Sequence, residues 1–289
     1  MMGRRLRIRG LARAGAALIA LSPVAAMAAE QPRVASINLC TDQLLLTLAD
    51  PAQIVGLSPY ARDARMSWRA KEAGQFPQLS GLAEDVLENK PDLVAAGSFT
   101  KRATREFLKT HGLRVEEFTP ARSIEDIKQQ LRRMGDVVGH PDRANEQIAR
   151  IDAAVARAHA AVAKRPLRVL AVARRGWVPG SDTLTTSLLA TVGLGNAARD
   201  LTGRYGNFKY GGFAPLEAIL SIHPDALMIS DPGEHAEDQG RALLLHPALE
   251  RLYPPSRRIV LPERLTACGG PMVVEALDHL AAEVERIER

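Results

Sequence analysis

Glu84-Asp85-Val86-Leu87, followed by Pro91-Asp92-Leu93-Val94, recurs as Glu217-Ala218-Ile219-Leu220 followed by Pro224-Asp225-Ala226-Leu227. The offset is 133 residues at every matched position. Each copy reads as an acidic helix start, a short apolar helix, a Pro-Asp break and a buried strand. A fold in which both copies serve the same purpose needs two similar halves. The apolar runs Arg33–Ile37 and Arg168–Ala173 recur at nearly the same spacing, 135 residues.

Short β-branched runs alternate with helical patterns on either side of the middle. Arg33–Ile37, Ile54–Ser58, Asp92–Gly97 and Arg114–Phe118 read as strands in the first half, and Arg168–Ala173, Ala226–Ser230 and Arg258–Pro262 in the second. This alternation argues for an α/β fold of two Rossmann-like lobes with mostly parallel sheets.

Between the halves lies the longest helical pattern. Gly139 suits the end of one helix and Pro141 the first position of the next. Ala144, Ile148, Ile151, Val155, Ala158 and Val162 then form one apolar stripe, ending near Lys164 before Pro166. That is about 24 residues, or ~36 Å. Ser123 with Asp126 three residues on is close to a capping box for the preceding helix. The connection is neither Gly- nor Ser-rich, so it reads as a rigid strut rather than a tether. The expected organisation is an N-terminal lobe over 33–138, an interlobe helix over 139–165 and a C-terminal lobe over 166–289.

The first 29 residues stand apart. Arg4, Arg5, Arg7, Arg9 and Arg13 precede the apolar stretch Ala14–Val24 and the small-x-small pattern Ala26-Met27-Ala28. This is the form of a cleaved signal peptide over 1–29, with an apolar run too short for a permanent span. No Cys follows that run, so lipid attachment is not expected. Of 38 Lys and Arg, five sit in this leader, leaving 33 to balance 33 Asp and Glu. The mature part thus lacks the basic footprint of a nucleic-acid binder. Cys40 and Cys268 are the two cysteines. An exported chain permits a disulfide between them if the fold brings their Cα atoms within about 7 Å.

With these features in place, the sequence resembles the periplasmic binding proteins for vitamin B12 and ferric siderophores. The resemblance runs from Arg33 to the C-terminus. It rests on Arg33-Val34-Ala35-Ser36-Ile37, Ile54-Val55-Gly56-Leu57, Glu84 before Lys90-Pro91-Asp92, His111-Gly112-Leu113-Arg114-Val115, the Ser123–Gly139 helix and the strut. Gly193-Leu194-Gly195-Asn196, Glu217 before Pro224-Asp225, and His246-Pro247-Ala248-Leu249 continue it. It implies a monomeric solute-binding component of an ABC importer, located in the periplasm. Such a protein delivers a large metal chelate, a corrinoid or ferric siderophore, to a permease dimer at the inner membrane. It also implies that Glu84 and Glu217 dock on permease arginines. Acids in a first helical turn are also stabilised by the helix dipole alone.

Ligands of open α/β lobes bind beyond the carboxyl ends of the strands. Among the twelve aromatic residues, Tyr60, Trp68, Trp177 and Tyr210 lie in polar or glycine-rich loops and are the candidates for a ligand cleft. Arg62, Arg174 and Arg175 lie in such loops too and suit carboxylate or phosphate groups. Tyr205, Phe208 and Phe213 also lead up to Glu217. Phe99, Phe107 and Phe118 read as core residues. No hydrolase elbow, zinc-protease helix, P-loop or dinucleotide fingerprint is present, so capture without catalysis and without a cofactor is expected. The seven His have no ligand spacing, which disfavours direct metal binding. Haem is the alternative ligand, with Tyr60 as the residue that reaches its iron; an exported enzyme without a motif is a further alternative.

Overall fold

The computed structural model describes residues 31–163, 166–201, 209–230 and 239–287. The leader and residues 164–165 of the strut segment lie outside the described residues, as do Tyr205 and Phe208. Among the described residues no helix is long and apolar enough to cross a membrane.

The first lobe is built on β1 (Val34–Ser36), β2 (Ile54–Gly56), β3 (Leu93–Gly97) and β4 (Arg114–Phe118). These pair in parallel in the order β2-β1-β3-β4. The second lobe contains β5 (Arg168–Ala171), β6 (Trp177–Pro179), β7 (Gly195–Asn196), β8 (Gly211–Phe213), β9 (Ala226–Ile229) and β10 (Arg258–Val260). Its main sheet runs β10-β9-β5-β7, again parallel. Read from the other edge, β7-β5-β9-β10 is the topology of the first lobe repeated. The chain is therefore α/β with two lobes of one design.

The sequence repeat has a shared backbone device beneath it. Asp92 accepts the Arg33 amide at 2.8 Å and returns its own amide to the Arg33 carbonyl at 2.9 Å. Asp225 does the same with Arg168 at 2.7 and 2.8 Å. Each Asp thus clips the helix–strand turn to the start of the lobe's first strand. Its preceding Pro is entered from a left-handed residue, Lys90 (φ 46°) or His223 (φ 50°).

Three strands were not expected from the sequence. The β7 edge is only two residues long and follows Gly193, which caps its helix in the left-handed region at φ 89°. The antiparallel β6–β8 pair contains Pro179, Gly211 and Gly212, residues that disfavour strands. Gly211 is required there: a Cβ would come 2.4 Å from the Trp177 ring.

The interlobe helix spans Pro141–Val162, 22 residues. Ser123 caps the preceding helix by accepting the Asp126 amide, and Gly139 ends it in the left-handed conformation. Ala144, Ile148, Ile151, Ala158 and Val162 are buried, with Ala154 taking the place expected of half-buried Val155. A period of 3.6 residues centres the stripe on Ala154 at that turn. The helix packs against Ile124–Val138 of the first lobe and against Leu184–Val192 and Val273–Ile287 of the second. One apolar core runs from Val34 and Leu45 through Ile151 and Ala158 to Leu189 and Leu280. The junction between the lobes is core, not linker.

Candidate functional site

A sheet whose strand order reverses leaves a crevice at the carboxyl ends of the two strands flanking the reversal. In the first lobe these are β1 and β3, in the second β5 and β9. After β1 the chain turns through Asn38, whose side chain accepts the Cys40 amide at 2.9 Å and caps helix Leu39–Leu48. Gly97 ends β3 against Asn38, so closely that a Cβ would lie 2.6 Å from the amide nitrogen of the Asn38 side chain.

Both crevices hold a cavity. One of about 210 Å³ is lined by Asn38, Cys40, Ser98, Phe99, Thr119 and Gln130 from the first lobe, and by Thr266 and Cys268 from the second. The other, about 370 Å³, is lined by Arg174, Trp177, Thr183, Ser230 and Glu263 of the second lobe. Both share Thr266 and Ala267. The two crevices therefore meet on one wall, the segment after β10.

Cys40 and Cys268 are joined by a disulfide with Cα atoms 5.2 Å apart, in the wall of the smaller cavity. It links the lobes at the floor of the cleft. Polar contacts cross between the lobes as well. The Trp68 indole donates to Glu275 Oε2 at 2.7 Å. Arg122 donates to Asp182 Oδ2 at 2.8 Å, its guanidinium carbon 5.3 Å from the Tyr210 ring centroid.

The sequence candidates divide accordingly. Trp177 and Arg174 line the larger cavity, and Trp177 makes an edge contact with Phe213 at 5.0 Å between centroids. Arg175 is exposed with its guanidinium 5.8 Å from the Phe213 ring. Tyr60 and Tyr210 are exposed, at 58% and 56%, in loops rather than in the walls of either cavity. Trp68 is committed to the lobe contact with Glu275. Arg62 is turned onto the Phe76 carbonyl at 2.6 Å and reaches neither cavity.

Phe99 corrects the sequence reading. It is not core: it is 85% exposed at the end of β3 and lines the smaller cavity. Phe107 is exposed as well, while Phe118 is buried. The signal for Phe99 was its place two residues beyond a strand's carboxyl end. Arg122 and Thr266, also missed, carry no such mark. Asp42 and Gln43 were missed for another reason: both are polar, fully buried, and hydrogen-bonded to the loop that carries Tyr60.

Glu84 and Glu217 are both exposed at the second position of their helices, Ala83–Glu88 and Leu216–Ser221. Neither carboxylate has a hydrogen-bond or ion-pair partner among the described residues. No cluster of three or more His, Cys, Asp or Glu suited to a metal ion occurs among the described residues.

Comparison with known proteins agrees with this architecture. The profile of the family described as "Periplasmic binding protein" matches residues 34–254. A cobalamin-binding protein of Halobacterium salinarum is 25% identical over 262 residues, covering 87% of this chain and 69% of that protein. A periplasmic haem-binding protein from Pseudomonas aeruginosa superposes with a TM-score of 0.69 at 24% identity, over 87% of this chain and 92% of that one. The periplasmic vitamin B12-binding protein of Vibrio cholerae does so with 0.66 at 12% identity, over 90% and 99%.

Proposed function

The chain belongs to the periplasmic binding protein family, and on that premise we propose that it captures a large metal chelate between its lobes. The ligand class is a corrinoid or a ferric siderophore, delivered to an ABC importer permease dimer. The observation that carries this reading is the pair of cavities at the two switch points, joined along Thr266–Ala267. A flat, bulky ligand placed there touches both lobes at once. Phe99 and Trp177 offer apolar faces from opposite sides, and Arg174 offers positive charge to acidic groups on the ligand. Phe213 packs on Trp177 and Arg175 lies by Phe213, so both extend the Trp177 side; Tyr60 and Tyr210 are exposed aromatics for the ligand to recruit from their loops. The name of the halophile relative supports the corrinoid member of the class.

Haem is the second reading. Tyr60 favours it: its phenol is exposed, in the loop after β2, and makes no hydrogen bond among the described residues, which suits it to ferric iron. No chemistry is assigned to the protein itself. It binds, holds and releases.

Residues 1–29 act as a cleaved signal peptide, and the mature protein works as a monomer in the periplasm. Glu84 and Glu217 dock on the permease. Two exposed acids at equivalent places on two lobes give two charge-assisted anchors at a fixed separation.

Mass spectrometry of ligand co-purified from the native source, followed by titration of the empty protein, tests the reading. Quenching of tryptophan fluorescence by one of these chelates is expected from Trp177 in the cavity wall. A flat titration with every corrinoid, siderophore and haemin tried would overturn it. A Soret shift with haemin that disappears in Tyr60→Phe would select haem over corrinoid.

A further inference from the structure

Helix Leu39–Leu48 is apolar on most sides, yet it carries three consecutive polar residues with almost no exposure, Thr41 and Asp42 at 0% and Gln43 at 1%. A buried polar side chain is costly unless its hydrogen bonds are met; Thr41 turns to Ser36 and Asn38, while Asp42 and Gln43 both reach one further segment. Asp42 accepts the Ser58 amide at 3.1 Å and the Ser58 hydroxyl at 2.5 Å. Gln43 donates to the Ser67 hydroxyl at 2.9 Å and accepts the Arg69 amide at 3.1 Å. The two anchors thus grip opposite ends of the loop from Ser58 to Arg69. Between them stand Tyr60, exposed to solvent, and Trp68, which reaches the other lobe at Glu275. The Ser58 hydroxyl also accepts the Tyr60 amide at 3.3 Å, so a chain of hydrogen bonds runs from Asp42 to the backbone of Tyr60.

We propose that Asp42 and Gln43 are positioning residues for the ligand cleft, setting from beneath the loop that presents Tyr60, and that Asp42 makes this positioning respond to pH. The ligand role of Tyr60 in this proposal rests on the chelate-binding reading above.

Burial pushes the Asp42 carboxyl up to about 7, against the lowering effect of hydrogen bonds from Ser36 and Ser58. The groups facing it are the Ser36 hydroxyl at the end of β1 and the hydroxyl and amide of Ser58 after β2; among the described residues no charged side chain acts on it. The ionised carboxylate accepts from all of them, leaving Ser58 oxygen lone pairs for the Tyr60 amide. A protonated carboxyl can donate to the Ser36 hydroxyl, which turns its own proton to the Asn38 carbonyl at 3.3 Å or to the Thr41 hydroxyl at 2.7 Å, so the neutral form is satisfied as well. Because burial under the seated loop raises the carboxyl, the seated loop favours the neutral form, and ligand capture weakens as pH rises through neutrality.

The test is backbone amide NMR of the whole mature protein across neutral pH, with haemin and cyanocobalamin titrated as probes over the same range. In the wild type, the Ser58 and Tyr60 amides should titrate with a midpoint near neutrality. Asp42→Asn, close in shape, should fold and abolish that titration. Ser58→Ala removes a hydrogen bond that favours the ionised form and should move the Asp42 carboxyl midpoint upward. Whichever probe binds should show a several-fold affinity change across the midpoint in the wild type and a flat profile in Asp42→Asn. An amide titration that persists in Asp42→Asn, is missing from the wild type, or leaves the midpoint unmoved in Ser58→Ala overturns the proposal. Failure of both probes to bind would count against the chelate reading alone, because the amide titration is read without ligand.

Discussion

Arg122 of the first lobe meets Asp182 of the second at 2.8 Å, with the Tyr210 ring alongside the guanidinium. Arg122 follows the edge strand β4, and Trp68, bonded to Glu275, follows the opposite edge strand β2. Cys40, bonded to Cys268, follows the inner strand β1. The lobes are therefore tied at both edges and at the centre, over a continuous core. Small-angle scattering should give the same radius of gyration with and without ligand. A change of several ångströms would show a hinge that these ties forbid. Breaking the exposed edge tie alone, by Arg122→Ala, should cost only ~0.2–1 kcal/mol in denaturant unfolding.

The disulfide is the strongest of the three. It closes a sequence separation of 228 residues, and loop-closure entropy for a span of that length amounts to roughly 5 kcal/mol at most. Cys40→Ser with Cys268→Ser should lower the urea midpoint markedly, and reductant should do the same to the wild type. An unchanged midpoint in both experiments would mean that the core alone sets the lobe junction.

Phe99 separates ligand contact from stability. At 85% exposure it contributes little to the fold, so Phe99→Ala should leave the melting temperature within about a degree or two. Chelate affinity should fall by about tenfold, the equivalent of ~1.4 kcal/mol for a stacked aromatic. Equal affinity for the variant and the wild type would remove Phe99 from the site.

Docking is tested by charge reversal. Glu84→Arg with Glu217→Arg should leave ligand affinity intact, because both acids stand at helix starts away from the cavities. Transport through the cognate importer should fall at least as far as the loss of two charge-assisted bonds implies, ~1.5–3 kcal/mol each. Intact uptake by the double variant would remove both residues from the docking role.

What was legible in the sequence follows the strength of local signals. The Pro-Asp pairs could be read because each Asp has one backbone task, clipping the turn to Arg33 or Arg168, which fixes the motif twice over. The strands could be read where β-branched runs end in Gly or Pro. The β6–β8 pair could not, because its Gly-Gly and Pro are tolerated only through the packing of Trp177 over Gly211. The site was half legible. Trp177 and Arg174 stand beyond a strand end, where the fold class places ligands. Arg62 stands in a similar loop but is consumed by the Phe76 carbonyl, a contact set by how that loop folds back. Asp42 and Gln43 look in sequence like ordinary polar helix positions; only the burial of the whole helix gives them a role.

Asp42 also sets an unusual pH dependence of stability. Its carboxyl stands at about 7 in the folded protein against an ordinary 3.8. A raised carboxyl favours the fold fully below its unfolded value, and that contribution is lost as pH rises from about 4 through about 7. Three units correspond to roughly 4 kcal/mol. Other carboxylates act in the opposite sense. The Arg143 guanidinium holds Asp50 low, and Arg133 holds Glu116 low, so their contributions are present above about pH 4 and vanish on acidification. The two slopes oppose one another, and Asp42→Asn removes only the first. Denaturant unfolding should find the variant more stable than the wild type on the alkaline side of neutrality, with the gap closing as pH falls toward the ordinary carboxylate range. A gap of constant size across that window would mean that Asp42 does not titrate there, and that the buried carboxyl keeps one charge state throughout.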